Sequence, residues 1–211
     1  MKLDIDFLPS KIVCVGRNYA DHAAELGNDV PKEPLLFLKA PSAMILDGNE
    51  IVIPEYSQQV EHEGELAVVI GDFCNDLPDD ADVSEYIRGY TCLNDLTARD
   101  LQKSDVQFTR AKSFDTFCPI GPHIETELDV SDLRVTTRVN GEIKQDSRTS
   151  KMVFPVEFLI RYISRMMTLL PGDVIATGTP SGVSKLSPGD VCEVEIEGIG
   201  LLRNPVAEAR P

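Results

Sequence analysis

The stretch Val60-Glu61-His62-Glu63-Gly64-Glu65-Leu66-Ala67-Val68-Val69-Ile70-Gly71 constrains this chain most, because two carboxylates open an apolar run that ends in glycine. Such a run reads as a buried strand over residues 66–70, and in a strand residues two apart point to one face. Glu63 and Glu65 therefore project side by side from the end of a sheet. Like charges that close repel, and one carboxylate protonates unless a cation holds both ionised. The pattern reads as a divalent-metal site, with Asp95 as the candidate third ligand. Oxygen donors with no Cys or His among them favour Mg2+ or Mn2+ over Zn2+. The competing reading is an ordinary pair of exposed acids. His62 falls on the opposite face of the strand and reads as structural, or as a support behind the ligands.

A chain of 211 residues with 42% hydrophobic content can bury a substantial core. Its formal net charge of −15 argues against nucleic acid or an anionic membrane as partner, since both need a basic surface. The five cysteines (Cys14, Cys74, Cys92, Cys118, Cys192) are odd in number and widely spaced, with no C-x-x-C pair. Four of them lie in apolar surroundings typical of buried free thiols, which suits a reducing compartment better than a disulfide framework. The first six residues are too acidic and too weakly apolar for a signal peptide, and no apolar stretch approaches membrane-spanning length. The expectation is a soluble cytoplasmic protein.

Short β-branched or alternating runs predict strands at residues 12–15, 35–39, 66–70, 90–93, 133–139, 174–176 and 191–196, with a last short strand after Gly198 and Gly200. Asn140-Gly141 is a strong two-residue hairpin signal. Asn18 is placed as the cap of a brief helix over residues 19–26 that Gly27 stops. Residues 96–103 are helix-compatible. Pro155 suits the first turn of a helix running to about residue 169, with Val156, Leu159, Ile160, Ile163 and Met167 as its apolar stripe. Residues 40–59 read as connecting hairpins, and the region from Ala111 through Pro122 as too punctuated for a helix. Many short strands with two or three helices predict a β-rich α+β fold.

Beyond the carboxylates, His22 and Glu25 lie three apart on one helix face, where the carboxylate can fix the imidazole tautomer and raise its basicity. An ordinary surface pair is the alternative. Lys112, among small and aromatic residues, can neutralise an anion. Thr177–Gly182 can offer backbone N–H groups and a hydroxyl to a carboxylate, but lacks the spacing of a phosphate loop.

Five segments occur in order: Val15-Gly16-Arg17-Asn18-Tyr19-Ala20-Asp21-His22, His62-Glu63-Gly64-Glu65-Leu66, Asn94-Asp95-Leu96-Thr97-Ala98-Arg99-Asp100, Ala111-Lys112-Ser113-Phe114 and Gly178-Thr179-Pro180-Ser181-Gly182. Together, over about residues 10–206, they resemble the fumarylacetoacetate hydrolase family, in particular its short acylpyruvase and oxaloacetate decarboxylase members. The resemblance implies a mixed β-roll or β-sandwich with a few short helices. Residues 1–50 would form a short N-terminal segment with a lid helix and residues 51–211 the catalytic core, within one compact domain and usually a homodimer. It implies one Mg2+ or Mn2+ on Glu63, Glu65 and Asp95, a water-activating pair in His22 and Glu25, and Lys112 as a further catalytic group. Arg17, Gln102 and Thr179 match substrate-binding positions. The implied activity is hydrolysis of C–C bonds in 2,4-dioxo acids through a stabilised pyruvate enolate. The alternatives are oxaloacetate decarboxylation or tautomerisation, and isomerisation or decarboxylation of 2-hydroxyhepta-2,4-diene-1,7-dioate. Lys103 and Arg110 are the candidates for meeting a second carboxylate.

Overall fold

In a computed structural model, which describes residues 1–209, the chain forms a curled eight-stranded sheet packed against a five-stranded one. The larger sheet runs, in spatial order, Lys2–Leu3, Cys118–Glu125, Ile87–Asn94, Gly64–Ile70, Val174–Ala176, Ile12–Gly16 and Leu35–Lys39, with Met44–Leu46 added parallel to the start of Cys118–Glu125. The smaller sheet runs Glu142–Arg148, Arg134–Val139, Val191–Ile196, Gly200–Glu208 and Ile51–Ile53. Val60–Glu61 pairs with Thr97–Ala98 in a separate two-stranded sheet, and four short helices, Ala20–Glu25, Arg99–Ser104, Thr109–Lys112 and Val156–Ser164, complete the described residues, with three single turns of 3-10 helix. The β-rich α+β expectation holds.

Gly64–Ile70 shows why the central strand reads as one apolar run rather than as an alternation. Leu66, Val68 and Ile70 enter a core shared with the smaller sheet and the Val156–Ser164 helix, whereas Ala67 enters a second core with Ile12, Cys14, Leu93, Val174 and Ala176. A strand buried on both faces has no polar side to show. Glu65 keeps step with Ala67, so the carboxylates lie on the second face, at the strand's start.

The glycine between the two carboxylates is set by the approach of the smaller sheet. A Cβ on Gly64 would lie 2.1 Å from Thr137 Oγ1 and 3.2 Å from Val194 Cγ1. The Asn140-Gly141 turn carries positive φ at both residues, 53° and 81°, and joins Arg134–Val139 to Glu142–Arg148 as its sequence predicts.

Several expectations need correction. Asn18 does not cap the first helix. Its amide is buried, donates to Thr177 O (2.7 Å) and Phe154 O (3.0 Å), and accepts from Phe154 N (2.8 Å), tying three segments together. The helix itself spans Ala20–Glu25, and Gly27, at φ 69°, follows it as expected. The Val156–Ser164 helix stops short of residue 169 because tertiary bonds claim its end. Asp76 N donates to Ser164 O at 2.8 Å, and Leu169 exchanges backbone hydrogen bonds with Cys74. Its apolar stripe is nonetheless the buried one, with Met167 packed against it. Residues 40–59 are not hairpins, since their strands Met44–Leu46 and Ile51–Ile53 pair in parallel with distant partners. Ala111-Lys112 closes a short helix, Thr109–Lys112, in the region expected to have none. The last strand is nine residues long. All five cysteines are buried free thiols.

Asp173 pins the entry of two sheet strands. Its Oδ1 accepts from Ser10 N (3.0 Å), Ser10 Oγ (2.6 Å) and Lys11 N (3.1 Å), while Oδ2 accepts from Leu170 N (2.8 Å) and pairs with the Lys11 ammonium. Burial works against its ionisation, but Lys11, Ser10 and the Leu170 N–H together hold the carboxyl below its usual range. A depressed folded-state value contributes stability above the unfolded pKa, lost as pH falls through the folded one. Asp173→Asn turns an amide donor toward donors and should cost about 2–4 kcal/mol in urea unfolding at pH 7. The deficit should shrink below about pH 4. Gly64→Ala should cost about 1–3 kcal/mol, and adding Thr137→Ala should recover part of the loss.

Candidate active site

Three strands of the larger sheet end together, and that end builds the site. Gly64 pairs with Asn94, and the ladder continues past the strand through Asp95 N to Glu63 O (2.8 Å) and Glu63 N to Asn94 Oδ1 (2.9 Å). Val174–Ala176 pairs with the same central strand and delivers Gly178, whose N–H donates to Glu65 Oε2 at 2.8 Å. A Cβ on Gly178 would lie 2.7 Å from Asn18 Cβ, and its φ is 101°, so the turn has room for glycine alone. The result is that ligand oxygens of Glu63, Glu65 and Asp95 all lie within 4.8 Å of one another, all three side chains buried.

Cations surround them. Lys112 Nζ bridges Glu63 Oε2 (2.8 Å) and Asp95 Oδ2 (2.7 Å), and stands 5.0 Å above the Phe37 ring. Lys39 Nζ donates to Asp95 Oδ1 (2.6 Å) and Leu96 O (3.1 Å). Arg99 donates to Glu63 Oε1, to Glu61 Oε2 (2.8 Å) and to Gln102 Oε1 (2.6 Å). Burial opposes the Glu63 charge, but Lys112 and Arg99 outweigh it and hold its carboxyl well below the usual range. Glu65 goes the other way: burial, then the Asp95 and Glu63 carboxylates, push it well above that range. The repulsion foreseen from the Glu63/Glu65 spacing thus falls on Glu65.

The cluster fits a divalent cation. Four buried carboxylates, counting Glu61, meet three cations, Lys39, Arg99 and Lys112. Glu65, the carboxylate most opposed to ionising, would be relieved by positive charge held between it, Glu63 and Asp95. All the donors are hard oxygens, which suits Mg2+ or Mn2+.

A cavity of about 310 Å3 opens above the carboxylates, and Arg17, His22, Gln102, Lys112 and Thr179 all line it. Glu25 stands behind His22. Its Oε2 lies 3.1 Å from His22 Nδ1, and its Oε1 accepts from Gly182 N at 2.9 Å, which ties the short helix to the Gly178–Gly182 turn. The Thr179 hydroxyl donates to Gly64 O (2.9 Å) and accepts from Gln145 Nε2 (2.7 Å), so it braces the segment between the two glutamates. Arg110 is not among the cavity's lining residues and forks onto Asp105 (2.8 and 2.5 Å), whereas Lys103 does line it.

His62 is buried, with Nε2 2.8 Å from Ser184 Oγ and Nδ1 3.3 Å from Gln145 Oε1. Burial pushes its pKa down to about 4, so it is neutral at pH 7. Residues that sequence reasoning missed are Lys39, Arg99, Gln145 and the aromatic wall of Phe37 and Phe108. Lys39 had a faint signal. It shares a face of an apolar strand with Phe37, where a charge needs a buried partner.

No helix of the described residues is long and apolar enough to cross a membrane. Residues 11–207 match the family described as fumarylacetoacetate (FAA) hydrolase C-terminal. The chain is 44% identical to the mitochondrial oxaloacetate tautomerase fahd2 of Xenopus laevis, over 94% of this chain and 66% of that protein. Among solved structures it superposes on a 5-carboxymethyl-2-hydroxymuconate delta-isomerase from Mycobacterium smegmatis with a TM-score of 0.91 at 48% identity, covering 100% of this chain and 83% of that one. It superposes equally well, with a TM-score of 0.91 at 30% identity, on fumarylpyruvate hydrolase from Pseudomonas aeruginosa in complex with Mn2+ and pyruvate, covering 99% and 96% of the two chains. On the matched span and these likenesses, the chain belongs to the fumarylacetoacetate hydrolase family.

Proposed function

We propose that this protein is a divalent-metal-dependent hydrolase of C–C bonds in 2,4-dioxo acids of the acylpyruvate or fumarylpyruvate type. The observation that carries the reading is the His22–Glu25 pair, which lies on the same cavity as the Glu63, Glu65 and Asp95 carboxylates and the Lys112 ammonium. Mg2+ or Mn2+ held by those three carboxylates would supply Lewis acidity toward the 2-oxo acid end of a substrate. The fumarylpyruvate hydrolase of Pseudomonas aeruginosa, a structure with Mn2+ and pyruvate, supports the choice of metal and of substrate class.

The chain's own residues account for the rest. Glu25 accepts the Nδ1 proton of His22, which leaves Nε2 as the base facing the cavity. His22 takes a proton from water as the oxygen adds to the C4 carbonyl. Breaking the C3–C4 bond releases a carboxylic acid and leaves the enolate of pyruvate, with charge growing on the 2-oxo oxygen. Lys112, fixed by two carboxylates and the Phe37 ring, adds positive potential where that charge develops, and the burial of its ammonium limits screening by solvent. Proton return to C3 completes pyruvate.

The 44% identity to an oxaloacetate tautomerase supports a second reading, proton transfer to and from C3 through a 2-oxo acid enolate with no carbon–carbon bond broken. The two are separated by assaying pyruvate release from acetylpyruvate and fumarylpyruvate against keto–enol interconversion of oxaloacetate. On the hydrolase reading, His22→Ala lowers kcat for acylpyruvate cleavage by about 10²–10⁴-fold. Cleavage at full rate in that variant overturns the water-activating role. Glu65→Ala, or EDTA, abolishes every activity, with recovery in the EDTA-treated protein alone when Mg2+ or Mn2+ is returned. Unaffected turnover would remove the metal from the reaction.

A further inference from the structure

Glu142–Arg148 is an edge strand of the smaller sheet, and six of its seven residues are exposed or half-buried. Gln145 is the exception, fully buried. Burying an amide costs free energy unless it is hydrogen-bonded, and an apolar side chain would fill that position without the cost. Its Oε1 accepts from Gly64 N (3.0 Å) and faces His62 Nδ1 at 3.3 Å, while its Nε2 donates to Thr179 Oγ1 (2.7 Å) and Pro180 O (2.7 Å). Every hydrogen-bonding position of the amide is engaged. The partners also fix which end is which, since Gly64 N–H needs an acceptor and Pro180 O a donor.

Three of these groups close a ring. Gly64 N–H donates to Gln145 Oε1, Gln145 Nε2 donates to Thr179 Oγ1, and the Thr179 hydroxyl donates to Gly64 O at 2.9 Å. The ring holds both peptide planes of the one residue between Glu63 and Glu65. Glycine lacks the Cβ that would restrict it, and the neighbouring strand Val174–Ala176 pairs the central one only as far as Ala67. Gln145 and Thr179 thus do for Gly64 what the ladder does for the residues after it. Asn94 holds Glu63 N from the other side. Gln145 bonds both the glutamate segment and the turn whose Gly178 N–H meets Glu65.

We propose that Gln145 is a positioning residue for the metal ligands: by orienting the two peptide groups of Gly64 it sets the spacing of the Glu63 and Glu65 carboxylates, and with it the affinity of the site for a divalent cation. This rests on reading Glu63, Glu65 and Asp95 as ligands, and not on which bond the enzyme breaks. Gln145 is not among the residues lining the cavity, so its effect reaches the site through Gly64 and Thr179. Gln145→Met keeps the length and fills the space, but it has no proton for Thr179 or Pro180 and no carbonyl for Gly64 N–H. Thr179→Val opens the same ring at its other corner.

The test titrates Mn2+ into the full chain, stripped with EDTA and dialysed, and follows the EPR signal of free Mn2+; melting curves establish that each variant is folded. Gln145→Met and Thr179→Val should each weaken Mn2+ binding by about 10–100-fold. The double variant should lose little more than the worse single one, because both substitutions break one ring. Asp173→Asn, which loosens the fold at the other end of the central strand, should leave the affinity within about twofold of wild type. Wild-type affinity in folded Gln145→Met overturns the proposal, as do losses that multiply in the double variant or an equal loss in Asp173→Asn. Where Gln145→Met does not fold, wild-type affinity in Thr179→Val overturns it instead. A wild-type chain that binds no Mn2+ overturns the metal reading and the proposal with it. Gln145-dependent affinity without cleavage of any 2,4-dioxo acid retains the positioning role and overturns the hydrolase reading alone.

Discussion

Taking a carboxylate out of water costs several kcal/mol unless it is paired, and this protein buries Glu61, Glu63, Glu65 and Asp95 at the end of one sheet. Much of the architecture can be understood as the arrangement that makes this burial tolerable. Lys39 comes from one strand, Arg99 and Lys112 from two short helices, and the Gly178 N–H from a turn after another strand. None of the three cations would be stable where it is without the carboxylates, because each is buried as deeply as its partner. Charge pairs of this kind contribute little net stability compared with apolar packing. What they provide is a fixed geometry of like charges that a divalent cation can complete.

The two-faced strand Gly64–Ile70 separates the tasks. One face, with Leu66, Val68 and Ile70, packs the smaller sheet and the longest helix and accounts for much of the core. The other face, in step with Ala67, leads at its start to Glu65 and Glu63. Gly64 marks the seam, where the smaller sheet comes so close that no side chain fits between the two glutamates. Gln145 of that sheet then reaches across to Gly64 N, Thr179 and His62, so the second sheet braces the site it does not line. Stability and chemistry are thus coupled through one strand.

Much of this was legible in the chain itself. The Glu63/Glu65 spacing, the apolar run after it, the Asn140-Gly141 turn and the stripe Val156, Leu159, Ile160, Ile163 and Met167 are local patterns, read from side-chain period and from residues that accept positive φ. The His22/Glu25 pair is likewise local, three residues apart on one helix face, and the structure has it bonded. Asn18 shows where local patterns stop. A short polar amide before a helix fits a cap, and only its distant partners Thr177 and Phe154 show that it clamps three segments instead.

The sequence alone therefore determined the β-rich fold, many of its elements, and the local Glu63/Glu65 and His22/Glu25 pairs, since these depend on residues a few positions apart. Tertiary structure alone decided which cations neutralise the carboxylates, where Val156–Ser164 ends, and that Arg110 turns away to Asp105 while Lys103 lines the cavity. Those outcomes depend on partners that are distant in sequence, as Lys39 is from Asp95, or, as with Lys103 and Arg110, on which way each chemically similar cation is turned. Burial makes such pairings obligatory without any local pattern that names the partner.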